Sequence, residues 1–320
     1  MSTETSTLGV KKLTIATRGS KLALWQSNHI KDIIEENNPG LEVELNIIVT
    51  TGDKIIDKPL AAIGGKGLFL KELEEAMLRG EAQIAVHSLK DVPTVMPEGL
   101  LLAAITERED VRDALLSEKY ADIDSLPKGA TVGTSSLRRR MQIEKIRPDL
   151  KIKDLRGNID TRIRKLKDGE FDAIVLAAAG INRLGLLDAV EYVYPISLYE
   201  MIPSMGQGAL GIEAVNDPKV LKIVEQLEDA YSRVETTIER DFVDELEGGC
   251  HVPIGVNATV LENDDVIIKA VLGLPDGTEI MSDSKIVSRN AYKGVGKTMA
   301  MEFINNGAKE LLKRAHEMTE

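Results

Sequence analysis

The sequence holds a single cysteine, Cys250, in 320 residues. One thiol excludes an internal disulfide and any multi-cysteine metal site, and leaves that side chain as either a small buried residue or a reactive group. Aromatic residues are scarce too, at 3% with one tryptophan. A surface that stacks bases needs aromatic platforms, so no nucleic-acid partner is expected and the cores must be aliphatic. Basic residues are outnumbered by acidic ones, 40 to 52, for a net charge of -12. Such a chain repels polyanions at long range unless its cations are gathered in one place. No apolar run approaches the roughly 20 residues of a membrane span, and Met1 to Val10 is polar, without the apolar segment of a signal peptide. These absences give the expectation of a cytoplasmic protein with no membrane partner and no bound metal. What is present, 43% hydrophobic residues, suffices for about two domains on length alone.

Periodicity predicts an α/β fold. Lys12 to Thr17 reads as a strand, followed by a tight Arg18-Gly19 turn and a helix over Ser20 to Asn37 that Asn-Asn-Pro-Gly stops. Leu41 to Thr50 is a second strand, Gly67 to Arg79 a helix and Ala82 to His87 a third strand, the alternation of a parallel sheet covered by helices. A second unit repeats the style, with Thr131-Val132, Ile152 to Leu155 and Ala173 to Leu176 as strands and helices starting near Ser136 and Thr161. Prolines and glycines around Met201 to Gly211 suggest a return crossing between the units, hence two lobes with a cleft between them. A helix over Asp217 to Leu246 then gives way to an antiparallel meander, Gly255 to Leu261, Val266 to Leu274 and Glu279 to Val287, with a turn at Pro275-Asp276-Gly277. C-terminal helical sequence interrupted at Asn305-Asn306-Gly307 completes a smaller α/β domain with an antiparallel sheet.

Three strand-to-helix junctions carry arginine beside glycine and hydroxyl or amide side chains. They are Thr17-Arg18-Gly19-Ser20, Gly133-Thr134-Ser135-Ser136-Leu137-Arg138-Arg139-Arg140, and Leu155-Arg156-Gly157-Asn158 followed by Arg162 and Arg164. Ligands of open α/β sheets bind at the carboxyl ends of strands, where helix N-termini favour anions. Arginine in a first helical turn opposes the helix dipole by about 0.3–1 kcal/mol, a sign that a bound anion reverses. Forked guanidinium groups suit carboxylate or phosphate, and neither a P-loop nor a dinucleotide fingerprint is present, which disfavours nucleotides. Each arginine could instead pair with a neighbouring acid on the surface.

The loop His87-Ser88-Leu89-Lys90-Asp91-Val92-Pro93 falls at the same predicted sheet edge as Arg18. Among cations, a carboxylate at Asp91 suits stabilising a developing positive charge better than donating a proton; a plain Lys90–Asp91 surface pair is the alternative. Ile55 to Gly67, with Lys58 and Lys66, is either a lid or an exposed loop. Cys250, after Gly248-Gly249 and before His251, is open to four readings: an inert buried residue, a metal ligand with His251, a nucleophile, or an attachment point. An anion-binding module without catalysis and a cysteine hydrolase both remain alternatives on these residues.

Seven segments together resemble the porphobilinogen deaminase family: ATRGSKLALWQS from Ala16, GGKGLFLKELEE from Gly64, AVHSLKDVPT from Ala85, VGTSSLRRR from Val132, LRGNIDTR from Leu155, SMGQGALGIE from Ser204 and LEGGCHVPIG from Leu246. The resemblance implies two lobes similar to periplasmic binding proteins and a third, smaller domain, at residues 1–106 with 207–226, 107–206 and 227–320. It implies a transferase of haem biosynthesis that joins four porphobilinogen molecules head to tail, releasing ammonia, on a covalent dipyrromethane cofactor. Cys250 would be the attachment residue and Asp91 the catalytic carboxylate. Arg18, Arg138, Arg139, Arg156 and Arg162 would bind cofactor and chain, with Arg183 a further substrate contact. Ser20, Lys66, Ser88, Lys90, Thr134, Ser136, Gly157, Asn158 and Gln207 fall in the same segments as candidate binding residues. Porphobilinogen would be the small-molecule partner and the protein a monomer.

Overall fold

Leu13 and Ile15 alternate with Thr14 along the first strand, β1 (Lys12–Arg18), and both are fully buried. They pack against Ile30 and Ile34, one helical turn apart on α1 (Lys21–Asn37), while Ala16 faces the other way onto Leu73 and Met77 of α3 (Lys71–Leu78). A strand with apolar contacts on both faces is the mark of a sheet sandwiched between helices. The computed structural model describes residues 9–54, 70–246 and 252–319. Cys250, His251 and Lys66 lie outside the described residues.

The chain divides into two compact units, residues 1–108 with 209–233 and residues 109–208 with 234–320. In the first, β2 (Glu42–Ile48), β1, β3 (Ile84–Ser88), β10 (Leu210–Val215) and β4 (Leu100–Ile105) lie side by side in that order. Strands β1, β2 and β3 run parallel, whereas β10 runs antiparallel to both of its neighbours. A single turn, α2 (Thr51–Lys54), follows β2, and α7 (Pro218–Val224) follows β10 and packs on the α1 face.

The second unit repeats that layout with β7 (Lys151–Lys153), β6 (Thr131–Gly133), β8 (Ala173–Ala177), β5 (Asp113–Ser117) and β9 (Tyr192–Pro195). Here β6, β7 and β8 are parallel and β5 is the antiparallel fourth strand. Helix α4 (Leu137–Ile146) covers one face through Ile143, and α5 (Ile159–Lys167) and α6 (Ala178–Arg183) cover the other through Ile163, Leu166 and Ile181. The same unit contains the antiparallel meander β11 (Ile254–Val260), β12 (Asp265–Gly273) and β13 (Ile280–Ser288). It is backed by α8 (Ala230–Glu245), α9 (Val295–Asn305) and α10 (Ala308–Glu317) around Phe242 and Phe303, whose rings meet edge to face at 5.3 Å. The fold is thus α/β, with two lobes of one topology and a smaller antiparallel α/β layer.

Two expectations need correction. The helix expected over 217–246 is two helices, α7 and α8, separated at Glu228 and Asp229. Asp229 takes the Ser232 N–H at 2.7 Å to start α8, and Glu228 is drawn aside by the Ile105 N–H and the Arg233 guanidinium. The irregular crossing expected over 201–211 ends in a strand, because Leu210 and Gly211 open β10.

Candidate active site

In the first unit the parallel register Ile15 to Ile84 and Ala16 to Ala85 brings the carboxyl ends of β1 and β3 to one edge. Arg18 closes β1 there, and Ser88 closes β3 just ahead of a turn of 3-10 helix over Leu89 to Asp91. Arg18, Ser20, Gln26, His87, Ser88 and Asp91 line a single pocket at that edge. Gln26 Nε2 donates to Ser88 Oγ at 3.0 Å, fixing the hydroxyl, and Asp91 is exposed. On the pocket wall His87 Nε2 lies 3.0 Å from Oε2 of the fully buried Glu213. Lys90 sits half-buried in the same turn.

Three of the predicted binding side chains are helix N-caps. Ser20 accepts the Ala23 N–H, Ser136 the Arg139 N–H, and Asn158 the Thr161 N–H. Their oxygens satisfy donors that a helix start leaves unpaired, so they aim α1, α4 and α5 out of the sheet edge. Thr134 is buried and its hydroxyl accepts the Ser136 N–H at 3.2 Å. Gly157 has φ 110°, and a Cβ there would lie 2.7 Å from the Thr161 side chain, so only glycine lets the chain turn into α5.

Two of the predicted arginines, Arg138 and Arg139, do not stand open. Arg138 and Arg139 are 4% and 6% exposed and share one carboxylate, Asp113, which is fully buried. Asp113 Oδ1 accepts from Arg139 Nε at 2.9 Å and Nη2 at 2.7 Å, and Oδ2 accepts from Arg138 Nη1 at 2.7 Å. Burial alone would raise the Asp113 carboxyl; the two guanidinium groups outweigh it and hold it well below the usual carboxylate range. At the start of α4 the protein supplies one anion of its own, shared by both arginines. Gln207, expected to touch ligand, is 1% exposed and donates its amide to Val111 O at 2.9 Å and Asp113 Oδ1 at 3.1 Å.

Asp113 went unread in the sequence because β5 is antiparallel: pairing with Ala177 at the end of β8 carries its first residue to the carboxyl edge of the others. The signal was present as an acid opening the apolar run Asp113-Ala-Leu-Leu. Further along this edge, Arg162 donates Nε to Gly157 O at 2.7 Å. Burial, together with the like charges of Arg139 and Arg156, pushes its guanidinium down to about 10. Arg183 donates Nη2 to Gly208 O at 2.6 Å and is likewise pushed down by burial to about 10. Carboxylates placed beside Arg162 would relieve the repulsion it meets from Arg139 and Arg156. Among the described residues no group of three or more histidine, cysteine or acidic side chains could hold a metal, and no helix is long and apolar enough to cross a membrane.

Two family models match in order along the chain, "Porphobilinogen deaminase, dipyromethane cofactor binding domain" over residues 13–222 and "Porphobilinogen deaminase, C-terminal domain" over residues 234–305. A porphobilinogen deaminase of Sulfurimonas denitrificans is 78% identical over 97% of this chain and 99% of its own length. One from a Nitratiruptor species is 64% identical over 96% of this chain and 98% of its own. Among solved structures, a TRAP periplasmic solute binding protein from Desulfovibrio salexigens aligns with 68% of this chain and 72% of its own, at 13% identity and a TM-score of 0.42. With both models in register and near-full-length identity to such relatives, the chain belongs to the porphobilinogen deaminase family, transferases of tetrapyrrole biosynthesis that work with a dipyrromethane cofactor.

Proposed function

We propose that Asp91 and Cys250 divide the work of the family's reaction in this chain, Asp91 as the catalytic carboxylate and Cys250 as the tether. The reaction joins four porphobilinogen molecules head to tail, with loss of ammonia, to give hydroxymethylbilane. The observation that carries the assignment of Asp91 is its place on the wall of the pocket with Arg18 and Ser88. Each porphobilinogen has an acetate, a propionate and an aminomethyl group. The amine is protonated near neutral pH by analogy with lysine, so ammonia leaves without a strong acid; the cation left on the substrate is what needs stabilising. Asp91 supplies a fixed negative charge to it, while Arg18 takes a substrate carboxylate.

The residues present fit dipyrromethane, whose pyrroles also carry carboxylates: Arg156 and Arg162 at the crowded edge, with Arg138 and Arg139 behind them, supply the cations it needs. When bound it supplies the nucleophilic pyrrole end to which substrate is added. Charge-assisted Arg–carboxylate bonds are worth about 1.5–3 kcal/mol each, enough in combination to hold a polyanion. Thr134, Ser136 and Asn158 set the helix starts that aim these arginines, Arg183 takes a further substrate carboxylate, and Lys66, Ser88 and Lys90 complete the polar contacts. The boundaries 1–106 with 207–226, 107–206 and 227–320, a monomeric state and a cytoplasmic location belong to the same proposal.

Ehrlich's reagent, which colours bound pyrroles, tests it on purified protein. The expected result is a coloured protein whose intact mass exceeds the sequence mass by two pyrrole units, with neither signal in Cys250→Ser. An unmodified yet fully active protein would refute the tether.

A further inference from the structure

We propose that Asp113 is a positioning residue for cofactor binding, holding Arg138 and Arg139 in place while leaving a net positive charge for a ligand carboxylate. The inference rests on the reading of those two arginines as cofactor contacts.

One carboxylate here serves two guanidinium groups, so among the described residues the buried triad carries a net positive charge. A device for stability alone would not be built this way. Replacing a buried ion pair by apolar side chains is often neutral or stabilising, whereas burying a net charge is costly. The cost is recovered only when a ligand carboxylate arrives.

The geometry is that of an orienting group. Arg139 spends Nε and Nη2 on Asp113 and Nη1 on the Val175 carbonyl at 2.9 Å, so its plane is fixed from both sides. Arg138 Nη1 is shared between Asp113 and the Ile202 carbonyl at 2.8 Å. Gln142 clasps Ile202 from the next turn of α4, donating to its carbonyl at 3.0 Å and accepting its N–H at 2.7 Å.

The network also reaches the start of β11. Pro203 O accepts the Val256 N–H at 2.9 Å, and β11, to which Val256 belongs, begins at Ile254 shortly after Cys250 in the chain. A Cβ at Gly255 would lie 2.7 Å from Ile202 O, so glycine is what lets the two segments meet. The arginine pair and the start of β11, the strand that follows Cys250 in the chain, are therefore braced by one short stretch, Ile202 and Pro203.

The test compares wild type, Asp113→Asn and Asp113→Glu by intact mass on the folded fraction from size exclusion, together with the thermal midpoint of each. Carboxylates that orient metal-binding histidines change affinity about 10–100-fold when removed, and a loss of that order in adduct-bearing protein is expected for folded Asp113→Asn. Asp113→Glu, which keeps the charge but moves it, should fall between. If the folded fraction of either variant carries the adduct in full, whatever its midpoint, the positioning role is wrong. If neither variant gives folded protein, it is also wrong, because the carboxylate then holds the fold rather than the ligand. Wild type without an adduct would instead overturn the tether at Cys250, which separates the two failures.

Discussion

The Ser135 hydroxyl donates to the Leu155 carbonyl at 2.9 Å and accepts the Leu155 N–H at 3.1 Å. One side chain thus joins the loops that follow β6 and β7, the first leading into α4 with Arg138 and Arg139 and the second carrying Arg156. Leu155 is fully buried while Ser135 is exposed, so removing the hydroxyl costs two hydrogen bonds that water can replace only in part. Ser135→Ala is expected to cost about 1–3 kcal/mol and to raise KM for porphobilinogen. Denaturant unfolding and steady-state kinetics check both, and an unchanged KM would show that the two loops keep their spacing without this link.

Gly208 has φ 93°, and a Cβ there would lie 2.4 Å from the Glu109 carbonyl oxygen. Its own carbonyl accepts both the Glu109 N–H at 3.0 Å and the Arg183 guanidinium. Gly208→Ala combines a left-handed backbone with a clash, and a loss of at least about 1–3 kcal/mol follows. A thermal midpoint equal to that of wild type would contradict the close approach.

Asp91 is exposed and makes no contribution to a core, so Asp91→Asn should change stability by no more than about 0.5 kcal/mol. Turnover is expected to fall by about 10²–10³, with the mass excess of the purified protein retained. Near-full turnover in this variant would remove Asp91 from the chemistry.

Arg162 gives a prediction of opposite sign for stability and function. Its guanidinium titrates in the folded chain at about 10, below the ordinary arginine value, because burial and two like charges disfavour the charged form. The unfolded chain therefore binds that proton more tightly, and stability rises with pH only above about 10, where the folded group loses it first. At neutral pH the charged side chain opposes folding. Arg162→Gln in the adduct-free Cys250→Ser background should show an equal or higher thermal midpoint, and in the Cys250 protein a raised KM. A lower midpoint in the adduct-free background would mean that the charge is already balanced without ligand.

Much of this was legible in the sequence because local chemistry fixed it. Ser20, Ser136 and Asn158 stand where hydroxyl and amide side chains cap helices, and the break at Asn305-Asn306-Gly307 matches Gly307 at φ 97° between α9 and α10. What escaped depended on pairing distant in the chain. β5 and β10 are buried strands without alternation, and nothing local says that they run antiparallel in otherwise parallel sheets. Asp113 was missed for that reason, and with it the partner that turns Arg138 and Arg139 from surface cations into buried ones. The burial of Gln207 was equally hidden, because Val111 and Asp113, which its amide meets, lie far from its own segment.

The position of β10 also sets an order of events during synthesis. The first sheet needs residues 210–215 between β3 and β4, so its ladder stays incomplete until two thirds of the chain has left the ribosome. The second sheet draws its five strands from one continuous stretch, Asp113 to Pro195. The lobe made later is therefore the first whose hydrogen-bond ladder can close, while β1, β2 and β3 emerge early with one edge still unpaired, the kind of exposed edge on which nascent chains aggregate.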